Sequence, residues 1–241
     1  MPVLTAALWG GFAAASLLIG YLLARRGLSN RATGMIMGFG AGALISAIAY
    51  ELVPESLLGG RDMFIAFGLG ATAFFVGDWL VDRQGGAERK NIAGDQAGGS
   101  GSAIFVGTLL DNIPESIILG MSLALGGRVS IAFLTAVFVS NLPEGVAGTI
   151  NLKAAGHSSR HIFWMWTALV VLSAACAALG YVLIRSLPGA DGRLAQAFAA
   201  GAMLTMLADA MMPEAFEHGG KLVGIFTVTG FLIAAVLAVM E

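Results

Sequence analysis

The chain alternates long apolar runs with short polar connections, and that pattern leaves few folds open. Eight runs are read, at 3–24, 33–58, 62–82, 102–125, 129–153, 162–185, 193–217 and 222–240. A helix needs about 20 apolar residues to cross a bilayer. In lipid every backbone N–H and C=O must be satisfied internally, which excludes open strands. Composition agrees, with 57% of the 241 residues hydrophobic and 12% charged, where soluble domains carry about 25% charged residues. The expectation is an all-α polytopic protein of the cell membrane, a single transmembrane domain over 1–241 with eight helices. The one long connection, 83–101, is rich in Gly and charge, and a flexible loop is expected there.

Basic residues set the expected orientation, because Lys and Arg concentrate on the inner side of a membrane. With the N-terminus outside, the inner connections hold Arg25, Arg26, Arg31, Arg83, Arg89, Lys90, Lys153, Arg160 and Lys221, and the outer ones only Arg61, Arg128, Arg185 and Arg193. Both termini are therefore expected outside. No basic segment precedes the first run, so no cleavable signal peptide is expected. The single cysteine, Cys176, excludes internal disulfides and thiolate clusters. No basic stripe suggests nucleic acid.

The chemistry lies in groups that do not belong in hydrocarbon. Glu51, Glu55, Asp111, Glu115, Glu144, Asp209 and Glu214 fall inside the runs, whereas all 13 Lys and Arg fall in connections or near ends. An acid at a helix centre costs roughly 2.5–3.5 kcal/mol on insertion scales. Without a basic partner, these acids must be protonated, hydrated or neutralised by a cation. Two stretches concentrate them: Asp111-Asn112-Ile113-Pro114-Glu115 and Ser140-Asn141-Leu142-Pro143-Glu144-Gly145. Spacings of three and four residues put Asp111, Asn112 and Glu115 on one helix face, and Ser140, Asn141 and Glu144 on another. Each proline also removes a backbone donor from a carbonyl four residues earlier, at Leu110 and Val139. Carboxylate and amide oxygens without Cys or His form a hard donor set suited to divalent cations. A proline kink with polar packing would account for one such motif, less readily for two.

A repeat runs through the chain. Ala41-Gly42-Ala43-Leu44-Ile45-Ser46 through Pro54-Glu55 aligns without gaps to Ala200-Gly201-Ala202-Met203-Leu204-Thr205 through Pro213-Glu214. The copies lie in helices of opposite direction, as do the two Asn-x-Pro-Glu motifs. An inverted repeat of helices 1–3 and 6–8 around helices 4–5 is expected, with interrupted helices meeting near the midplane. Glu51 and Glu55 would then form a station at the outer end, and Asp209, Glu214 and His218 one at the inner end. Glu217 is read as interfacial, His157 and His161 as solvated, and Met35, Met37, Met203, Met206, Met211 and Met212 as packing. Trp164 and Trp166 are read as an interfacial belt.

At these motifs the chain resembles the ZIP family of divalent metal transporters, in particular its bacterial GufA-like members. Residues 111–116 look like the helix 4 motif His-Asn-x-Pro-Glu-Gly, residues 140–145 like its helix 5 counterpart, and 200–214 like the helix 7 segment ending in Pro-Glu. The resemblance implies metal ligands at Asn112, Glu115, Asn141 and Glu144, with Asp111 standing for the family's His, Ser140 for its frequent Gln, and Ser116 for a Gly. It implies inward transport of zinc, iron(II) or manganese by alternating access, an elevator-like movement and a homodimer. Replacing imidazole by carboxylate hardens the site and favours the harder metals. The metal is cargo, and no resident cofactor is expected. Two other readings remain: a proton-coupled transporter of another solute, and a transport-inactive metal-binding member. A membrane hydrolase lacks a His-Glu-x-x-His or Ser-His arrangement, so no enzyme is expected.

Overall fold

The computed structural model describes residues 2–53, 60–86, 100–187 and 191–241. They form eight helices long and apolar enough to cross a membrane: α1 Pro2–Arg25, α2 Asn30–Leu52, α3 Arg61–Gly86, α4 Gly101–Gly126, α5 Ile131–Ala154, α6 Ser159–Ser186, α7 Arg193–Gly219 and α8 Leu222–Met240. No strand occurs among the described residues. Four helices start on a serine cap, whose hydroxyl accepts an otherwise orphan N–H. Ser29, Ser100, Ser130 and Ser158 accept from Ala32, Ala103, Phe133 and His161.

Burial grades the helices. α5 and α2 are the most enclosed, α4 and α7 follow, and α6 and α8 turn most of their surface outward. The acids of the two proline motifs therefore lie on central helices. α5 packs on α1 and α2, α4 on α6, α2 also on α8, and α3 on α7. Several crossings depend on bare backbone, among them those of α2 with α8 and α3 with α7. A methyl at Gly42 or Gly230 would collide with the carbonyl of Thr227 or Phe39, and one at Gly201 or Gly70 with that of Phe67 or Phe198. Small residues at such crossings let helices pack on backbone atoms, which supplies van der Waals attraction that lipid cannot.

Three sequence expectations change. The flexible loop was expected from 83, but α3 continues through a wide last turn, Asp82–Gly86, to Gly85 at φ 94°. The Arg83 guanidinium in this turn lies 3.6 Å from the Trp79 ring centroid, a cation–π contact. The remainder, 87–99, lies outside the described residues, as does 54–59, of which 54–58 were expected to complete α2.

The second change concerns the prolines. α4 and α5 remain α-helical through Pro114 and Pro143, so the expected interruptions are absent there. Side chains in the same turns add bonds to the backbone: Asn112 Nδ2 donates to Thr108 O and Ser140 Oγ to Val137 O, both at 2.9 Å. The ladder widens instead in α2 and α7, at the π turns Ile48–Leu52 and Leu207–Met211. Val53 N–H reaches back five residues to Ile48 O, and Met212 N–H to Leu207 O. Each step directly precedes a proline in the sequence, Pro54 or Pro213. A wider turn moves aside the carbonyl that the proline ring would strike.

The third change is Trp166, which is fully buried. Its Nε1 donates to Thr149 Oγ1 at 2.9 Å, and Thr149 in turn donates to Gly145 O at 2.6 Å. The indole N–H thus has an internal partner and needs no headgroup. Trp164, two residues away and on the other side of α6, is exposed.

Candidate functional site

α4 and α5 touch, and each turns its polar motif inward. Asp111, Asn112, Glu115, Ser140, Asn141 and Glu144 are all buried, none more than 4% exposed. α2 closes one side: Gly40 lies so close to Ser140 that a methyl there would press on the Ser140 backbone. The two motifs differ in how their amides are used. Asn112 spends its N–H on the Thr108 carbonyl. Asn141 spends nothing: it is 1% exposed, and neither its Oδ1 nor its Nδ2 has a hydrogen-bond partner among the described residues. Each unsatisfied buried polar group costs roughly 1–3 kcal/mol. A folded chain tolerates that where a bound group supplies the missing bond.

A cavity of about 290 Å³ opens at the end of the bundle where α2, α4 and α8 finish and α5 and α7 begin. Its wall carries Glu51, Ser122, Arg128, Ser130, Gln196 and Glu241, and it reaches Ile118 and Phe133. Ile118 stands one helical turn beyond Glu115 on α4. Both apolar side chains are buried, as are Asp111, Glu115 and Glu144, and none of those three acids lines the cavity. Glu51, expected as an end station, sits in the π turn of α2 with Oε1 accepting from Ser130 Oγ at 2.7 Å. The Glu241 carboxylate accepts the N–H groups of Ile131 and Ala132, where the positive end of the α5 dipole favours an anion.

The other expected residues scatter. Glu55 lies outside the described residues. Asp209 sits in the π turn of α7 but is exposed, in a groove with Phe67, Phe75 and Leu204. Glu214 and His218 do come together, with His218 Nδ1 3.0 Å from Glu214 Oε1. Glu217, read as merely interfacial, joins them: one ligating atom from each of the three lies within 4.8 Å of the others. His157 and His161 stack on each other, ring centroids 5.0 Å apart. Met37, Met203, Met206 and Met211 are core residues.

Sequence reasoning missed three groups. Gln196 lines the cavity and is buried; an amide in the first turn of an apolar run was its signal. Asn151 is buried seven residues beyond Glu144, two turns down the same face of α5. The Glu241 contact with α5 carried no local signal, because it joins residues 110 positions apart.

No family model matches the chain. It is similar to a protein of Arabidopsis thaliana named "Putative zinc transporter", 27% identical over 197 residues, which covers 77% of this chain and 30% of that protein. The chain thus spans less than a third of that relative's length.

Proposed function

We propose that the chain moves divalent metal ions across a membrane, binding them between α4 and α5. The observation that carries this is the Asn141 amide, buried beside acids with neither polar atom bonded to a described residue. Six buried oxygen-bearing side chains on two touching helices are the donor set a hard or borderline divalent cation takes. Similarity to a protein named as a zinc transporter supports the same substrate class. Zinc, iron(II) and manganese are the cargo proposed. The ion replaces the missing hydrogen bonds of Asn141, and its charge offsets those of Asp111, Glu115 and Glu144.

Alternating access is supported by the burial of the cluster, none of whose six side chains lines the Glu51 cavity. In the proposed cycle Glu51 attracts the ion at the outer end, the cluster becomes open to the cavity, and the ion passes to the acids of α4 and α5. N-out orientation is proposed on the basic-residue asymmetry, inward movement and a homodimer on the resemblance at the α4 and α5 motifs.

The inverted repeat is proposed on three supports. The two π turns coincide when 159 is added to the α2 numbering, since 48–52 becomes 207–211. The same shift carries Gly42 to Gly201, each of which packs on a backbone carbonyl of a neighbouring helix. Exchanging α1–α3 with α6–α8 and α4 with α5 turns the α2–α8, α2–α5 and α4–α6 packings into α7–α3, α7–α4 and α5–α1, all of which occur.

The test is uptake of zinc, iron(II), manganese and other divalent ions into proteoliposomes. Glu115→Ala with Glu144→Ala should abolish uptake. Wild-type flux of every divalent metal in that double variant would refute the assignment. Flux of an organic solute without metal competition would point to a proton-coupled carrier.

A further inference from the structure

The last turn of α7 carries Glu214, Glu217 and His218, and we propose that they form a second divalent-metal site, chemically distinct from the one between α4 and α5. The inference takes its substrate class from the proposed function but stands on its own geometry. Spacings of three and four residues place the three side chains on one face of a single helix. One donor atom from each lies within 4.8 Å of the others. A zinc ion about 2.0–2.2 Å from each donor would hold them about 3.3–3.6 Å apart, so small rotamer changes close the set. Glu214 and His218 are already drawn together, at 3.0 Å, and their side chains are only 12% exposed. Glu217 is exposed, with no ion-pair partner among the described residues, and is free to swing in.

The scaffold suits a cation. These residues end a helix, where the macrodipole is negative and stabilises positive charge. The turn is held against α2, because Gly34 packs directly on the Ala215 carbonyl and the Gly219 N–H. Of the three histidines in the chain, His157 and His161 stack on each other, leaving His218 as the imidazole set among carboxylates. One nitrogen and two carboxylate oxygens make a borderline set that zinc, iron(II) or cobalt(II) fills well. The α4–α5 cluster has only oxygen and amide donors. The two sites should therefore differ in metal preference.

Cobalt(II) titration of the full chain in detergent, read by its visible absorption and by dialysis stoichiometry, tests this. Wild type should bind two ions per chain. His218→Ala and Glu217→Gln should each lose one ion or weaken it at least tenfold, with thermal stability retained; Glu217 is exposed, so its variant perturbs folding little. His218→Ala should also abolish the nitrogen-ligand contribution to the cobalt spectrum. Unchanged stoichiometry and spectrum in both variants would overturn the second site, leaving the α4–α5 reading intact. Loss of the α7 ion in both, with the Glu115→Ala, Glu144→Ala protein binding as wild type does, would support the α7 site and remove the α4–α5 one.

Discussion

Ser130 Oγ donates to Glu51 Oε1 at 2.7 Å while accepting the Phe133 N–H at 3.0 Å. One hydroxyl thus caps α5 and holds the carboxylate in the π turn of α2 over the cavity. Ser130→Ala removes both bonds. Loss of a serine cap costs about 1 kcal/mol, which for a chain of this size lowers Tm by about 2–4 °C. Thermal unfolding in detergent reads it, and an unchanged Tm would show that the cap is idle.

Glu51→Gln separates charge from structure at the same place. The amide oxygen still accepts from Ser130, so Tm should stay near wild type. If Glu51 concentrates cations at the cavity, KM for metal uptake should rise several-fold at low ionic strength, and the difference should shrink as salt screens the charge. A KM that is unchanged at every ionic strength would remove Glu51 from the pathway.

Asn141 sets stability against function. An amide that made ordinary buried hydrogen bonds would cost stability when removed. Here neither polar atom has a described partner, so Asn141→Ala should leave metal-free stability unchanged or raise it by about 1 kcal/mol, and should abolish the increase in Tm that zinc gives wild type. Destabilisation of the metal-free protein, with the zinc response kept, would show a structural amide instead.

What the sequence revealed and what it hid have physical causes. Asp111, Glu115 and Glu144 stood out because carboxylates within apolar runs are costly wherever the helix turns, so they could be singled out before any face was assigned. Trp164 and Trp166 show the reverse. They look alike in sequence, and only Thr149 of α5, which accepts from the Trp166 indole, decides which one is buried. The prolines tell the same story: four occur in helical runs, yet the described ladder widens next to Pro54 and Pro213 and not at Pro114 or Pro143. Proline chemistry is the same at each, and the neighbouring helices differ. Glu217 was read as interfacial and is exposed; its spacing to Glu214 and His218 was visible, but the approach of the three side chains was not.

Trp166→Phe should keep most of the packing and lose the bond to Thr149, at about 1 kcal/mol, whereas Trp166→Ala should cost about 3–5 kcal/mol. Fluorescence checks the placement independently. Trp164→Phe should remove emission that an aqueous or lipid-phase quencher reaches, and Trp166→Phe emission that neither reaches.

The bare-backbone crossings predict a sharp contrast between glycines. Gly42→Ala drives a methyl into the Thr227 carbonyl at the α2–α8 crossing, and overpacking of this kind costs about 1–3 kcal/mol. Gly224→Ala, in the first turn of α8, meets nothing within 4 Å and should be neutral or stabilising by up to about 1 kcal/mol through helix propensity. Thermal unfolding of both proteins decides it, and equal stability would mean the helices do not cross on backbone at Gly42.

Asp111→His tests which metal the α4–α5 site prefers. Asp111 is buried one turn before Glu115 on the same face, so any ion held by Glu115 lies within its reach. As a carboxylate it adds charge and a hard oxygen, which favours manganese. As a neutral imidazole it would remove that charge and supply a borderline nitrogen, which favours zinc over manganese on ligand softness. The variant should therefore raise the zinc-to-manganese uptake ratio about tenfold, equivalent to about 1.4 kcal/mol in relative affinity. Competition between the two metals in proteoliposomes measures the ratio directly and cancels differences in protein amount. Asp111→Asn serves as the control for charge alone: it should lower flux of both metals with little change in the ratio. A ratio that follows Asn and His equally would assign selectivity to charge, and an unchanged ratio in both would place Asp111 outside the metal's coordination shell.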